Sequence, residues 1–182
     1  MPFADLALAQ RLERAEGYAC TQFAAARSRI FPDCGSTWRE CAGALLTFDG
    51  VDGPTTQTFG LGLFEELTAT ALAEAEAFFF ERGTAAVHEI CPLVGPAPLQ
   101  LLCDSGYRPV EVSNVLFRVI EKPGMPPPDG PRARIIGREE ADIWTDVSTR
   151  GWTHEHPELA GFMRQTCHLL VSRESKNRKS VV

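Results

Sequence analysis

TATALAEAEAFFFERGTAAVHEICPLVGPAPLQLLCDSGYRPVEVSNVLFRVI, residues 68–120, is the stretch around which the rest of the chain is organised. Leu72, Ala75 and Phe79 share one stripe at helical spacing, with Ala71 and Phe78 beside it, so a helix is predicted over 68–82. Thr68 or Thr70 can cap its start by accepting backbone N–H bonds that have no partner within the helix. Gly83 can take the left-handed conformation that ends it. Residues 87–90 then read as a short strand, stopped by Pro92. Pro98 stands near the start of a second, shorter helix, where its missing N–H costs nothing; Leu99, Leu101 and Leu102 give that helix its apolar side. Gly106 closes it and Tyr107 follows. Val115, Phe117 and Val119 alternate with Leu116, Arg118 and Ile120, the period of a strand.

Working outward, residues 5–30 read as one long amphipathic helix. Leu12, Ala19, Phe23, Ala26 and Ile30 follow helical spacing, and Arg11, Glu13, Arg14 and Arg27 are assigned to the other side. Residues 30–36, with Phe31-Pro32-Asp33 and Gly35-Ser36, form a break. Residues 38–48 read as a strand and 55–64 as its hairpin neighbour, with Asp49-Gly50 and Asp52-Gly53-Pro54 as the connection. The small Ala42, Gly43 and Ala44 suggest a helix packed closely over the first of these strands.

This order of elements resembles the GNAT superfamily of N-acetyltransferases, in which a helix ending in Gly leads to a strand, a short helix, a Gly-Phe or Gly-Tyr turn and a long strand. Gly106-Tyr107 is the best single match, and the resemblance covers roughly residues 38–120. It implies an α+β fold: a mixed, mainly antiparallel central sheet flanked by helices, here with a long N-terminal helix. Gln57-Thr58-Phe59-Gly60-Leu61-Gly62 matches the family's Q/R-x-x-G-x-G/A coenzyme A motif, so the resemblance implies Gln57, Gly60 and Gly62 as residues that bind acetyl-CoA. Residues 55–64 are then the strand for the pantetheine arm. The physics of such a loop needs a helix starting directly after it. Here five residues, Leu63-Phe64-Glu65-Glu66-Leu67, intervene, and the two glutamates repel phosphate. The same letters also read as a strand with glycines where another backbone comes close. Where the family often carries a Tyr as general acid, this chain has Leu102, with Cys103 next to it. Candidate bases are Glu40, His88 and Glu89; as strand neighbours, His88 and Glu89 point to opposite faces. A lone His on an inner strand also reads as a hydrogen-bonded core residue.

Residues 1–121 are accordingly one GNAT-like domain. Residues 122–132 lie in a Pro/Gly-rich stretch that neither a helix nor an inner strand tolerates, which reads as a semi-rigid linker. Residues 133–182 resemble the beginning of a second GNAT-like domain: a strand over 133–136, a helix over 139–150 with Ile143 and Val147 on one side, a helical stretch over 157–170, and a basic tail expected to be disordered. The tandem reading makes the chain a truncated or shifted part of a longer protein; the other reading makes this segment a helical appendage.

Composition bounds the partners. The net charge of −6 argues against nucleic acid, because phosphate binding needs a basic surface. No apolar run approaches membrane-spanning length. The six cysteines include no C-x-x-C pair, and most of them read as small core residues of a cytoplasmic protein. His154-Glu155-His156, with Cys167 or His168, could supply metal ligands, but a polar loop accounts for it and no metal is assigned. Two functions follow. The first is transfer of an acetyl group from acetyl-CoA to an amine of a small molecule or peptide. The second is a catalytically inactive GNAT-like module, a scaffold or dimerisation surface, with a homodimer as one expectation.

Overall fold

The computed structural model describes residues 4–51, 53–119, 134, 136–155 and 157–172. The expected linker over 122–132, Ala133 and Ile135 of the expected second-segment strand, His156 and the tail from 173 onward lie outside the described residues. Among the described residues the fold is α+β, with a three-stranded antiparallel sheet and five α-helices, the first of them long.

Helix α1 spans Leu6–Ile30. The Asp5 carboxylate caps it by accepting from the Leu8 N–H at 2.8 Å, and Arg27 and Arg29 lie in the last turn, where the helix dipole favours cations. Its buried stripe runs Ala9, Glu13, Gly17, Thr21 and Ala24, joined by Phe23 and Ala26. Glu13 therefore belongs to the inner face and not, as its charge suggests, to the outer one. Gly17 sets the packing distance: a Cβ there would lie 2.9 Å from the Phe59 Cβ and 3.0 Å from the Leu45 Cδ1.

Strand β1 (Thr37–Cys41) and strand β2 (Ala44–Phe48) occupy the range that the sequence presents as one strand. Ala42 and Gly43 both have positive φ, 47° and 71°, and fold the chain back as a two-residue hairpin. The small residues there serve a turn. Every residue of β2 is buried, as befits the central strand. Strand β3 (Gln57–Phe59) pairs antiparallel to β2, with Leu46 opposite Thr58. The 49–56 connection is pinned by the Asp49 N–H donating to the Thr56 hydroxyl at 2.9 Å and by Arg27 of α1 paired with the buried Asp49 at 3.2 Å.

Helix α2 (Ala69–Phe80) starts at Thr68, whose hydroxyl accepts from the Ala71 N–H. It buries Leu72, Ala75, Phe78 and Phe79 against Leu46, Phe48 and Leu61. Leu45 and Phe59 face α1 instead, so the sheet is sandwiched between α1 and α2 by the two-residue alternation of its strands. The expected strand over 87–90 reduces to one parallel bridge, Thr58 with His88, made by Thr58 N–H to Val87 O and Glu89 N–H to Thr58 O, both 3.0 Å. Helix α3 (Pro96–Asp104) starts two residues before the expected position, with prolines in its first turn, and buries Leu102.

The expected strand after Tyr107 has no regular pairing among the described residues. Val110, Val112 and Leu116 are each more than four-fifths exposed. Apart from Arg118 the residues from Val115 to Val119 are apolar on both alternating sets, a pattern suited to a strand covered on two faces, and the described residues place no strand beside it. Helix α4 (Ala141–Trp152) and helix α5 (Ala160–Ser172) form a hairpin whose α5 also leans on α1. Thr145, Thr149, Cys167 and Leu169 are buried in it, whereas Ile143 and Val147 are exposed. Among the described residues no helix is long and apolar enough to cross a membrane.

Candidate functional site

Among the described residues, Gln57, Thr58, His88 and Glu89 come together at one parallel bridge. Beyond it the two chain segments part. Gly60, with φ +75°, turns β3 away, and the other segment enters a short 3-10 turn at Pro92–Val94. Between them lies a cavity of about 340 Å³, lined by Gly62, Phe64, Glu65, Leu67, Val94 and Pro98 among others. That is within the range of small-molecule sites, near its lower end.

On the α2 face a chain of hydrogen bonds begins inside the core. The Thr58 hydroxyl meets His88 Nδ1 at 2.8 Å, His88 Nε2 meets the Tyr107 hydroxyl at 3.1 Å, and that hydroxyl donates to Glu76 Oε1 at 2.9 Å. Because the tyrosine proton goes to Glu76, its oxygen accepts from Nε2–H, and Nδ1 accepts from Thr58. This assigns the neutral Nε2–H tautomer from the network alone. Burial pushes His88 down to about 4, so the ring is neutral at pH 7. Tyr107 is pushed above the usual phenol range, first by burial and then by its bond to Glu76. Phe79 stacks edge-on near His88, at 6.4 Å between centroids. The chain satisfies both nitrogens of a half-buried imidazole.

The α1 face differs. Glu13 is 9% exposed, and its Oε2 accepts from the Gly60 N–H at 3.1 Å. Burial first, and the Glu89 carboxylate second, raise Glu13 to about 7. Glu89 is itself raised by burial and by Glu16 and Glu111, and it accepts from the Gln57 amide at 3.2 Å. The Gln10 amide of α1 holds the Leu63 carbonyl at 2.8 Å, so α1 grips the glycine turn at two points.

The residues expected to bind acetyl-CoA are thus close together but engaged within the chain. Gln57 is held by Glu89, and the Gly60 N–H by Glu13. A Cβ at Gly60 would lie 2.6 Å from the Phe64 ring, and one at Gly62 would lie 3.3 Å from Pro98. The absent side chains leave room for the protein's own groups. His88 and Glu89 do point to opposite faces. Glu40 is exposed on β1 and pairs with Arg14 at 3.4 Å. Leu102 is core and Cys103 is exposed. His154 is exposed after α4, while Cys167 is buried on α5, and among the described residues no three His, Cys, Asp or Glu side chains form a metal-sized group. Sequence reasoning missed Glu13 and Glu76. Glu13 had a signal, since it lies midway between Ala9 and Gly17 at four-residue spacing; Glu76 had none. No family model, curated protein or solved structure matches the chain.

Proposed function

We propose that this chain is a cytoplasmic GNAT-type N-acetyltransferase domain, whose reaction moves an acetyl group from acetyl-CoA to an amine. The observation that carries the reading is the one parallel bridge among the described residues, Thr58 with His88, beside an antiparallel sheet, with a 340 Å³ cavity lined by residues that follow each of its two segments. A parallel neighbour requires a crossover, and α2 supplies it. Glu65 and Glu66 line the cavity, so it would take the acetyl end of the pantetheine arm beside the amine, with the coenzyme's phosphates outside it. The reaction needs the amine deprotonated, an oxyanion held by a backbone N–H and an acid for the leaving thiolate. Both nitrogens of His88 are engaged by Thr58 and Tyr107, and Leu102 cannot donate a proton.

A second reading is favoured by the occupied glycine turn. With Glu13 on the Gly60 N–H and Phe64 and Pro98 filling the glycine spaces, the chain is an inactive GNAT-like module that scaffolds or dimerises. Calorimetric titration with acetyl-CoA separates the two, run on the parent chain and on Ala97→Trp, which blocks the cavity from an exposed position on α3. Micromolar binding by the parent that Ala97→Trp abolishes is the result expected of the acetyltransferase. Absence of binding by the parent overturns it in favour of the module, whose dimer sedimentation would then detect.

A further inference from the structure

Glu13 is buried on the α1 face, and most of its surroundings oppose its charge. Its own helix brings Glu16, and Arg14 on that helix is turned to Glu40 of β1 and lies 4.0 Å over the Phe64 ring. β2 presents no charged side chain, and β3 presents only Gln57. The segment after the bridge brings Glu89, which in turn feels Glu111. Among the described residues, α5 meets α1 near Phe31, where Arg164 and His168 line a separate cleft; Arg27 is paired with Asp49. The carboxyl therefore has two carboxylates, Glu89 and Glu16, acting against its charge and one backbone N–H, that of Gly60, acting for it. It sits four residues from Gly17, the point of closest approach between helix and sheet.

We propose that Glu13 is a pH-sensitive latch: as a neutral carboxyl it lets α1 lie closed on β3 and the glycine turn, and once ionised it favours release of that stretch of helix. Ionising Glu13 in place puts a charge between Glu16 and Glu89 in a buried setting. Opening returns that charge to water. Opening also bares Phe59 and Leu45 and frees the Gly60 N–H, so the latch controls access to the α1 face of the sheet. The inference does not rest on the acetyltransferase reading.

The sign is fixed by linkage. Glu13 titrates near 7 when closed and near its ordinary 4.5 when exposed, so the closed form binds more protons and opening grows as pH rises from 4.5 to 7. The experiment is hydrogen exchange of the α1 amides on the full chain, corrected for intrinsic rate at each pH, from pH 5 to 8.5. The parent is compared with Glu13→Gln and Glu89→Gln. In the parent, the opening constant around residues 9–20 should rise on the order of 100-fold. Glu13→Gln, a near-isosteric change that keeps an acceptor for Gly60, should remove most of the rise and leave the smaller part that Glu89 contributes. Glu89→Gln should move the rise to lower pH and shrink it, because one opposing charge is gone. A parent profile that is flat, or that Glu13→Gln reproduces, overturns the latch. So does a rise unmoved by Glu89→Gln, since the neighbouring carboxylate would then have no part in it.

Discussion

On the α2 face of β3, the imidazole of His88 has both nitrogens in hydrogen bonds and an aromatic edge beside it. On the α1 face, two residues along the strand from Thr58, the carboxyl of Glu13 has one backbone N–H and two carboxylate neighbours. Burial disfavours the charged form of both, but charge means opposite things for a base and an acid. His88 resists protonation, whereas Glu13 resists deprotonation. One strand of three residues thus separates a face stabilised by raising pH from a face stabilised by lowering it.

The largest test of this contrast removes the close approach on one side only. Gly17→Val drives a branched side chain into Phe59 and Leu45, and overpacking of this kind should cost about 3 kcal/mol in a denaturant titration. The His88 chain on the other face should keep its tyrosine signal if the two faces are independent.

Next comes the pH dependence of stability. His88 titrates near 4 folded and near 6.5 unfolded, so the unfolded state binds more protons in that window and stability falls as pH drops from 6.5 to 4. Glu13 works the other way, with stability falling as pH rises from 4.5 to 7. The two slopes oppose each other across pH 4.5–6.5. Replacing one group exposes the other: Glu13→Gln should gain about 2 kcal/mol between pH 4.5 and 6.5, and His88→Gln should lose a similar amount. Parallel pH profiles for the two variants would show that the faces do not differ as described.

The smallest effect concerns the end of the relay. Tyr107→Phe leaves His88 Nε2–H without its acceptor in a largely buried site, and should cost about 1 kcal/mol in thermal unfolding near neutral pH. Loss of the bond to Glu76 acts in the same direction, although the partly exposed Glu76 can turn to water.

The helices were legible because their signals are local. Asp5, Thr68 and Gly83 mark boundaries by capping chemistry, and α1 and α2 fall within two residues of expectation. The β1–β2 turn was not legible. An alanine at positive φ carries no sequence mark, and Ala42-Gly43 reads equally well as the interior of a strand under a helix. The two-faced core site was half legible: strand alternation placed His88 and Glu89 on opposite faces. Their partners Tyr107, Glu76 and Glu13 come from other elements, and only folding brings them near. Residues 115–119 misled for the reverse reason, since alternation specifies an extended chain without specifying a neighbour.

Phe64 touches three places that are far apart in sequence. Its Cβ lies 2.7 Å from where a Cβ of Gly43 would stand, its ring edge lies 2.6 Å from that of Gly60, and the Arg14 guanidinium covers its face. A mutation at any one of these sites is therefore a negotiation with the others. A side chain at 43 or 60 demands a smaller residue at 64, and a smaller residue at 64 strands the arginine. Over evolutionary time positions 14, 43, 60 and 64 should change as a set, which gives glycines at 43 and 60 a reason to persist that owes nothing to any ligand.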